Sequence, residues 1–168
     1  RAASTLFYAT PDARIFRKVK HPGITDRAKN FLNKERNHFM KYRVLGKTGL
    51  RVSAIGLGTW QYCGDWGKEF TNEEVKGILD RASELGFNLI DSAAGYGPNH
   101  LSETMVGKAI KGSRDKWVLS TKFGRYRTGK GEDTVVCDFS ADAVKGQLED
   151  SLRAFQTDCI DIYLMHSA

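Results

Sequence analysis

Residues 89–97 read LIDSAAGYG, an apolar run that ends abruptly on a carboxylate and continues into a glycine-framed loop. Leu89 and Ile90 are typical of a buried strand, whereas Asp91 places a charge where that strand ends. Tyr96 follows five positions later in the loop. Ligand sites of parallel α/β folds lie beyond the carboxyl ends of the strands. The position of Asp91 therefore predicts a functional site at this edge of a sheet.

From Met40 onward, the sequence alternates between strand-like and helix-like segments. The GKTG turn between two short apolar stretches predicts a small hairpin over residues 42–52. Longer strands are predicted at residues 53–58, 87–91, 117–122 and 159–166. Three helices are predicted, from Thr71 to Gly86, from Leu101 to Ile110 and from Ser140 to Phe155. This alternation predicts βαβ units and a parallel sheet, in either a doubly wound fold or a barrel.

Two of the predicted helices have apolar residues at helical spacing, which indicates a buried face. In the first helix these residues are Val75, Ile78, Leu79, Ala82 and Leu85. In the last helix they are Val144, Leu148, Leu152 and Phe155. The segment between the third strand and Ser140 shows no such pattern and is predicted to be a polar loop.

The composition is typical of one soluble globular domain, with 168 residues of which 40% are hydrophobic and 27% charged. No apolar run approaches the roughly 18 residues of a membrane span, so no membrane association is expected. The three cysteines are widely separated, which predicts neither a disulfide framework nor a metal site. A reduced, cytoplasmic setting is the corresponding expectation.

The net charge of +6 lies entirely in residues 1–39, which hold 9 Lys and Arg against 3 Asp and Glu. Residues 40–168 hold 17 of each and so predict no nucleic-acid partner. Residues 1–39 show no sustained period and are predicted to be a disordered or weakly structured basic leader. Its three acids argue against a transit peptide. Alternatively, Met40 is the true start and the leader is translated upstream sequence.

Polar side chains recur at the carboxyl ends of the predicted parallel strands. Asp91, Lys122 and His166 each end a strand, and Thr59 and Trp60 follow the first one. Taken singly, Asp91 is typical of a helix or turn cap, Lys122 of a surface lysine and His166 of a hydrogen-bonded core histidine. Adjacent parallel strands bring such ends together, so their recurrence predicts a shared site. Asp91 is the expected counter-ion of Lys122 there.

Tyr96 belongs to the same predicted site, because its loop directly follows Asp91. A cation close to a phenol favours the phenolate. His166 can hydrogen-bond the same substrate oxygen. This combination is typical of proton transfer to or from a carbonyl or alcohol oxygen.

Four segments resemble, in order and spacing, the signature segments of the aldo/keto reductases. They are VLGKTGLRVSAIGLGTW at 44–60, NLIDSAAGYG…SE at 88–103, VLSTKFG at 118–124 and SLRAFQTDCIDIYLMHS at 151–167. The resemblance covers essentially all of residues 40–168. It implies a (β/α)8 TIM barrel, NADPH as cofactor, and reduction of small aldehydes and ketones to alcohols.

By the same resemblance, the catalytic tetrad of the family maps onto Asp91, Tyr96, Lys122 and His166. Tyr96 would give its proton to the carbonyl oxygen, Lys122 would tune the phenol while held by Asp91, and His166 would orient the carbonyl. Trp60 is expected either to line the substrate pocket as well or to be a structural aromatic at the barrel mouth. The residues implied to contact the cofactor are Gly58, Thr59, Trp60 and Asp91.

Two glycine-rich motifs resemble nucleotide sites but lack a required residue. In IGLGTWQ, Gln61 stands where a dinucleotide fingerprint has its third glycine. GRYRTGKG, at residues 124–131, has Walker spacing, but Gly131 replaces the Ser or Thr that binds magnesium. Both nucleotide-binding alternatives are therefore disfavoured.

The sequence stops directly after the fourth predicted strand, whereas a barrel of this type takes about 250 residues. Residues 40–168 are therefore interpreted as the N-terminal half of a barrel, a hairpin followed by about four βα units. Open strand edges and inner-face residues such as Ile55, Leu89 and Leu119 are expected to be exposed, which predicts self-association through these edges. The alternative to an enzyme is a noncatalytic protein of the same fold, either truncated or cofactor-sensing.

Overall fold

Strands and helices alternate along the chain, as the sequence predicts. The computed structural model describes residues 40–129 and 134–166, so the predicted leader at 1–39 lies outside the described residues. Within them the strands are β1 (Tyr42–Val44), β2 (Arg51–Ser53), β3 (Leu57–Gly58), β4 (Leu89–Asp91), β5 (Val118–Phe123), β6 (Arg125–Arg127), β7 (Val135–Cys137) and β8 (Ile162–Met165). The α-helices are α1 (Asn72–Glu84), α2 (Leu101–Ala109) and α3 (Ala141–Phe155).

Strands β3, β4, β5 and β8 form one parallel sheet, in the order in which they occur along the chain. Helix α1 connects β3 to β4, and α2 connects β4 to β5. A doubly wound sheet reverses its strand order at a switch point, and no reversal occurs within the described strands. The sequential order therefore favours the barrel over the doubly wound alternative. All four carboxyl ends lie along one edge of the sheet.

The predicted N-terminal hairpin is present as the antiparallel pair β1 and β2. Ser53, predicted to open the first parallel strand, instead pairs with Tyr42 in this hairpin. Its hydroxyl donates to the carbonyl of Ile55 at 2.7 Å, which turns the chain before β3 begins. The first parallel strand is consequently shorter than predicted. Asn88 ties the hairpin to the sheet by accepting a 2.6 Å hydrogen bond from the Ser53 backbone N–H.

The predicted polar loop after the third strand contains a second hairpin, formed by β6 and β7. The prediction of an unstructured loop is therefore wrong for these residues. Gln147 of α3 anchors the hairpin, since its Oε1 accepts from the Gly124 N–H at 2.6 Å and its Nε2 donates to the Asp138 carbonyl at 2.8 Å. Strands of three residues are too short to establish a period of two, so the sequence did not indicate them.

Helix α1 begins with a complete capping box. The Thr71 hydroxyl accepts from the Glu74 N–H, and the Glu74 carboxylate accepts from the Thr71 N–H. The predicted apolar face is correct at Val75 and Leu79, which are fully buried. It is wrong at Leu85, which is 48% exposed because the helix has already ended and the chain turns at a glycine with φ of +86°.

Helix α3 begins after Ser140, whose hydroxyl accepts from the Ala143 N–H, as the predicted cap requires. Phe155 is buried, but the other buried positions of this helix are polar, namely Gln147 and Ser151. Both polar side chains are hydrogen-bonded, which makes their burial tolerable. The remaining predicted face residues are only partly buried, namely Val144, Leu148 and Leu152.

The core lies between the sheet and the helices. Ile90 and Leu119 are in register on β4 and β5, and both are fully buried against Val75 and Val106 of the first two helices. The expectation that Leu119 lies exposed on an inner face is therefore wrong. Alternate residues of a strand point to opposite sides, and Leu119 shares the helix-facing side with Ile90. Ile55 is 39% exposed, as expected.

The helices of the described part of the chain are too short and too polar for a bilayer, so none of them is a candidate membrane span.

Candidate active site

Three of the predicted site residues converge on one ammonium group. Lys122, on β5, places its Nζ 3.0 and 2.8 Å from the two carboxylate oxygens of Asp91, at the end of β4. The same Nζ lies 3.0 Å from the Tyr96 Oη and 2.8 Å from the Ser92 carbonyl oxygen. The sheet register explains the meeting, because the two strands run side by side and end at the same edge. The loop from Ser92 onward then returns the phenol to that edge.

The ammonium is well sheltered, since the Lys122 side chain is only 15% exposed. A buried ammonium is costly unless its charge and its N–H groups are satisfied, and Asp91 together with the Ser92 carbonyl does both. Lysine has donors but no acceptor, so it must donate to the Tyr96 Oη. The phenolic hydrogen is consequently directed away from the lysine. The geometry leaves Tyr96 able to donate its proton to a ligand while a cation lies beside its oxygen.

His166 completes the group from the end of β8. Its backbone N–H donates to the Phe123 carbonyl at 2.9 Å, which extends the pairing with β5 by one residue. Its ring meets the Tyr96 ring edge to face, with centroids 5.8 Å apart. Burial, and then the charge of Lys122, lower the pKa of His166 below its ordinary value near 6.5. The imidazole is therefore neutral at physiological pH.

The His166 Nδ1 is buried and has no hydrogen-bond partner within residues 40–129 and 134–166. A buried polar atom without a partner is unusual in a folded protein and costs stability. The His166 residue itself lines an open pocket together with Tyr96, so its ring lies where a ligand beside the phenol would be contacted.

The pocket above these residues has a volume of about 270 Å³. Trp60 forms one wall and stacks nearly parallel to the Tyr96 ring, with centroids 6.0 Å apart. Trp66 packs edge-on against Trp60 at 5.1 Å and is 60% exposed. Hairpin β6–β7 contributes Arg125 and Arg127 to the lining. The pocket lining thus combines aromatic and charged side chains.

The other residues predicted to contact a cofactor lie at the end of β3. Thr59 is fully buried, and its hydroxyl bonds within the protein to Ser92 Oγ at 2.9 Å and to Ser102 Oγ at 2.8 Å. Its backbone N–H donates to the Asp91 carbonyl at 3.1 Å. Gly58 pairs in register with Asp91 and has no side chain to limit the approach of a ligand. Their contact with a cofactor stays a prediction, and the structure shows Thr59 holding β3 against the Asp91 loop.

Sequence reasoning missed two contributors to this site. The Ser92 carbonyl is a ligand of the lysine, and a backbone atom leaves no signal in residue type. Asp65 forms a 2.7 Å ion pair with Arg127, 62 positions away, and lies on the pocket wall. The sequence did not indicate this pair because the hairpin that carries Arg127 was not predicted.

Glu103 is a buried acid that hydrogen-bonds the residue next to Lys122. Glu103 of α2 is fully buried and accepts hydrogen bonds from Thr121 Oγ1 at 2.5 Å and Ser151 Oγ at 3.2 Å, and it also contacts His100 Nδ1. Thr121 directly precedes Lys122 on β5. Burial acts to lower the pKa of His100, but the hydrogen bond and charge of Glu103 outweigh it, so the pKa is raised. This cluster joins both flanking helices to the central strand.

This chain is similar in sequence to several known proteins. Residues 54–168 match the model of the aldo/keto reductase family. L-galactose dehydrogenase of Arabidopsis thaliana is 35% identical over 130 residues, which cover 76% of this chain and 38% of that protein. Aldo-keto reductase YhdN of Bacillus subtilis (strain 168) is 36% identical over 133 residues, with the same two coverages.

Solved structures of the same family share the fold. The aldo-keto reductase AKR11C1 from Bacillus halodurans, in its holo form, aligns with a TM-score of 0.65 and 39% identity, over 76% of this chain and 40% of that one. An aldo-keto reductase from Klebsiella pneumoniae, solved in complex with NADPH, aligns with a TM-score of 0.58 and 34% identity, over 76% and 39%. The glycerol dehydrogenase AKR11B4 from Gluconobacter oxydans aligns with a TM-score of 0.57 and 30% identity, over 76% and 38%.

The chain spans about two fifths of the length of these relatives. Its hairpin and four sequential parallel strands form part of a TIM barrel, which confirms the predicted fold class. The matched region includes every member of the predicted tetrad, and the family-model match covers well over half of the sequence. On these grounds, the chain belongs to the aldo/keto reductase family.

Proposed function

We propose that this chain carries the catalytic side chains of an NADPH-dependent reductase of aldehydes and ketones, with the activity belonging to the whole protein. The observation that carries the proposal is the 3.0 Å contact between the Lys122 ammonium and the Tyr96 Oη, with Asp91 as the counter-ion. A phenol that accepts from an ammonium can release its own proton to a substrate oxygen. Carbonyl reduction needs such a donor.

In the proposed mechanism, Tyr96 donates its proton to the carbonyl oxygen as negative charge develops there. Lys122 stabilises the phenolate that remains, because its positive charge lies within hydrogen-bonding distance of that oxygen. Asp91 holds the lysine in place and balances its charge. Neutral His166 lies beside the phenol and orients the carbonyl through a ring nitrogen. In alcohol oxidation, the same proton transfer takes place in the opposite direction.

The site residues fit a nicotinamide cofactor on one side of the pocket. Trp60, which is 41% exposed and stacked on Tyr96, offers an aromatic surface to a flat ligand. Bound NADPH supplies the hydride for the carbonyl carbon. The residues proposed to contact it are Gly58, Thr59, Trp60 and Asp91. The Klebsiella pneumoniae relative solved with NADPH supports the choice of cofactor.

The relatives support oxidoreduction of small carbonyl or alcohol compounds as the reaction class. One is named for L-galactose and another for glycerol. Both names describe dehydrogenation of a hydroxylated carbon compound. We propose a small-molecule substrate of this general kind for the whole protein.

The test is NADPH oxidation with a generic aromatic aldehyde by the natural gene product that contains this chain. Tyr96→Phe should lower kcat by at least about a hundredfold, because it removes the proton donor. Tyr163→Phe is the matched control, since burial raises the pKa of Tyr163 to about 12 and its hydroxyl has no hydrogen-bond partner among the described residues, Lys122 included. A fully active Tyr96→Phe protein would refute the mechanism. Binding of NADPH without turnover of any carbonyl would instead favour the noncatalytic, cofactor-sensing alternative.

A further inference from the structure

The proposed proton transfer does not use Glu103, although its carboxylate is fully buried in the first turn of α2. Oε1 accepts a hydrogen bond from Thr121 Oγ1 at 2.5 Å. Oε2 accepts one from Ser151 Oγ at 3.2 Å and contacts His100 Nδ1. A buried charge is costly, and an apolar side chain of similar volume often serves packing equally well. The polar contacts of this carboxylate therefore indicate a specific role.

The hydrogen bond from Thr121 acts on the strand that carries Lys122. Thr121 lies two residues after Leu119 on β5 and shares its helix-facing side, because side chains alternate along a strand. Lys122 is the next residue, so its ammonium lies on the other side of the sheet, against Asp91. Glu103 thus holds, from the helix side, the part of β5 from which the lysine side chain extends.

The same turn of α2 also holds the loop that carries Tyr96. The Ser102 N–H, next to Glu103 in sequence, donates to the Tyr96 carbonyl at 3.1 Å. The start of this loop is attached to β5 separately, because the Ser92 N–H donates to a β5 carbonyl at 2.9 Å. Tyr96 lies between these two attachments, so its distance from the lysine depends on both. The Glu103–Thr121 hydrogen bond links the second attachment directly to β5.

We propose that Glu103 is a positioning residue for the proton transfer, and that its hydrogen bond with Thr121 sets the distance between the Lys122 ammonium and the Tyr96 oxygen. This proposal rests on the proposed reductase function and adds a residue to it. Glu103 acts from behind the sheet through Thr121, so it is not itself a catalytic residue.

The expected effect follows from the distance dependence of a charge interaction. Lys122 Nζ lies 3.0 Å from Tyr96 Oη. Lengthening this distance by about 1 Å weakens the attraction between ammonium and phenolate by about a quarter. At an effective dielectric constant of about 20, that loss corresponds to about a tenfold fall in rate. The phenolate forms only as the proton leaves, so the affinity for NADPH should change little.

The experiment removes the two hydroxyl donors of Glu103 separately in the natural gene product that contains this chain. Thr121→Val keeps the shape of the side chain without the donor, and should lower kcat with a generic aromatic aldehyde by about tenfold. The Kd of NADPH, measured by fluorescence titration, should stay within about twofold of the wild type. Thr121→Ser keeps the donor and should retain the wild-type kcat.

Ser151→Ala is the matched control, because it removes a donor of the same carboxylate from the α3 side. It should lower the urea midpoint about as much as Thr121→Val does, since each variant leaves a buried carboxylate with one hydrogen bond fewer. Its kcat should equal that of the wild type, because Ser151 does not lie on the strand that carries the lysine.

Three outcomes would overturn the positioning role. They are a wild-type kcat in Thr121→Val, an equal fall in kcat in Thr121→Val and Ser151→Ala, and an equal fall in Thr121→Val and Thr121→Ser. If Thr121→Val does not fold, Thr121→Cys replaces it, because a thiol is only a weak donor, and a kcat equal to that of Thr121→Ser would then overturn the role. A wild-type protein that oxidises NADPH with none of a panel of aldehydes would refute the reductase function, and the positioning role with it.

Discussion

At Gly107, helix α2 lies so close to α3 that it leaves no room for a side chain. A Cβ placed there would lie 2.4 Å from the Phe155 carbonyl oxygen and 2.6 Å from the Phe155 Cα. These atoms are backbone, so a change of rotamer cannot relieve the contact. An ordinary van der Waals distance would require the two helices to separate by about 1 Å in a close-packed region.

We therefore expect Gly107→Ala to destabilise the fold by about 2 kcal/mol. Overpacking of this severity costs about 3 kcal/mol, and the higher helix propensity of alanine offsets about 1 kcal/mol of it. Gly77 and Gly146 are matched controls, because they also lie within helices but a Cβ there meets nothing within 4 Å. Their replacement by Ala should stabilise the protein by about 0.5–1 kcal/mol.

The assay is urea unfolding of the natural gene product, with the slope checked for two-state behaviour. Thermal unfolding should give the same ranking, with Gly107→Ala about 4–8 °C below the wild type in Tm. A Gly107→Ala protein as stable as the Gly77→Ala and Gly146→Ala proteins would refute the packing of α2 against α3. It would mean that the helices are farther apart than the structure places them.

Two other features allow tests. The raised pKa of His100 means that its interaction with Glu103 stabilises the fold fully below pH 6.5 and is lost as the pH rises through the raised value. His100→Gln should remove this alkaline loss from the pH dependence of the urea midpoint, whereas an unchanged slope would exclude His100 as its source. The second feature is the β8 edge, where Leu164 and Met165 are 44% and 54% exposed. Residues 40–168 expressed alone should self-associate or be molten, as measured by sedimentation velocity and denaturant titration, and a monomer with a sharp unfolding transition would contradict this.

The convergence of the site could be predicted because it depends on a simple property of parallel sheets. Asp91 and Lys122 end adjacent strands, so their meeting required only the correct strand order. The helix caps Thr71 and Ser140 were equally predictable, since the capping hydroxyl is local to the sequence. Features controlled by strand order or by residues close in sequence were thus correct.

Features that depend on tertiary context could not be predicted. The β6–β7 hairpin is stabilised by Gln147 of α3. Glutamine is usually exposed on helices, so its residue type did not indicate this buried contact. Leu119 lies on the helix-facing side of the sheet because it is in register with Ile90. Where neighbouring strand residues are all apolar, the sequence does not show which of them face the helices. The ion pair of Asp65 and Arg127 could not be predicted without the hairpin that carries Arg127.

The sequential strand order has a consequence for synthesis on the ribosome. Each new strand can add to the edge left by the previous one, so the sheet grows in one direction as the chain emerges. Asp91, Tyr96 and Lys122 can assemble once β5 is available, while His166 arrives 44 residues later. At typical translation rates this gap lasts about 2–9 s. Lys122 can therefore meet its counter-ion before the histidine that completes the group emerges from the ribosome.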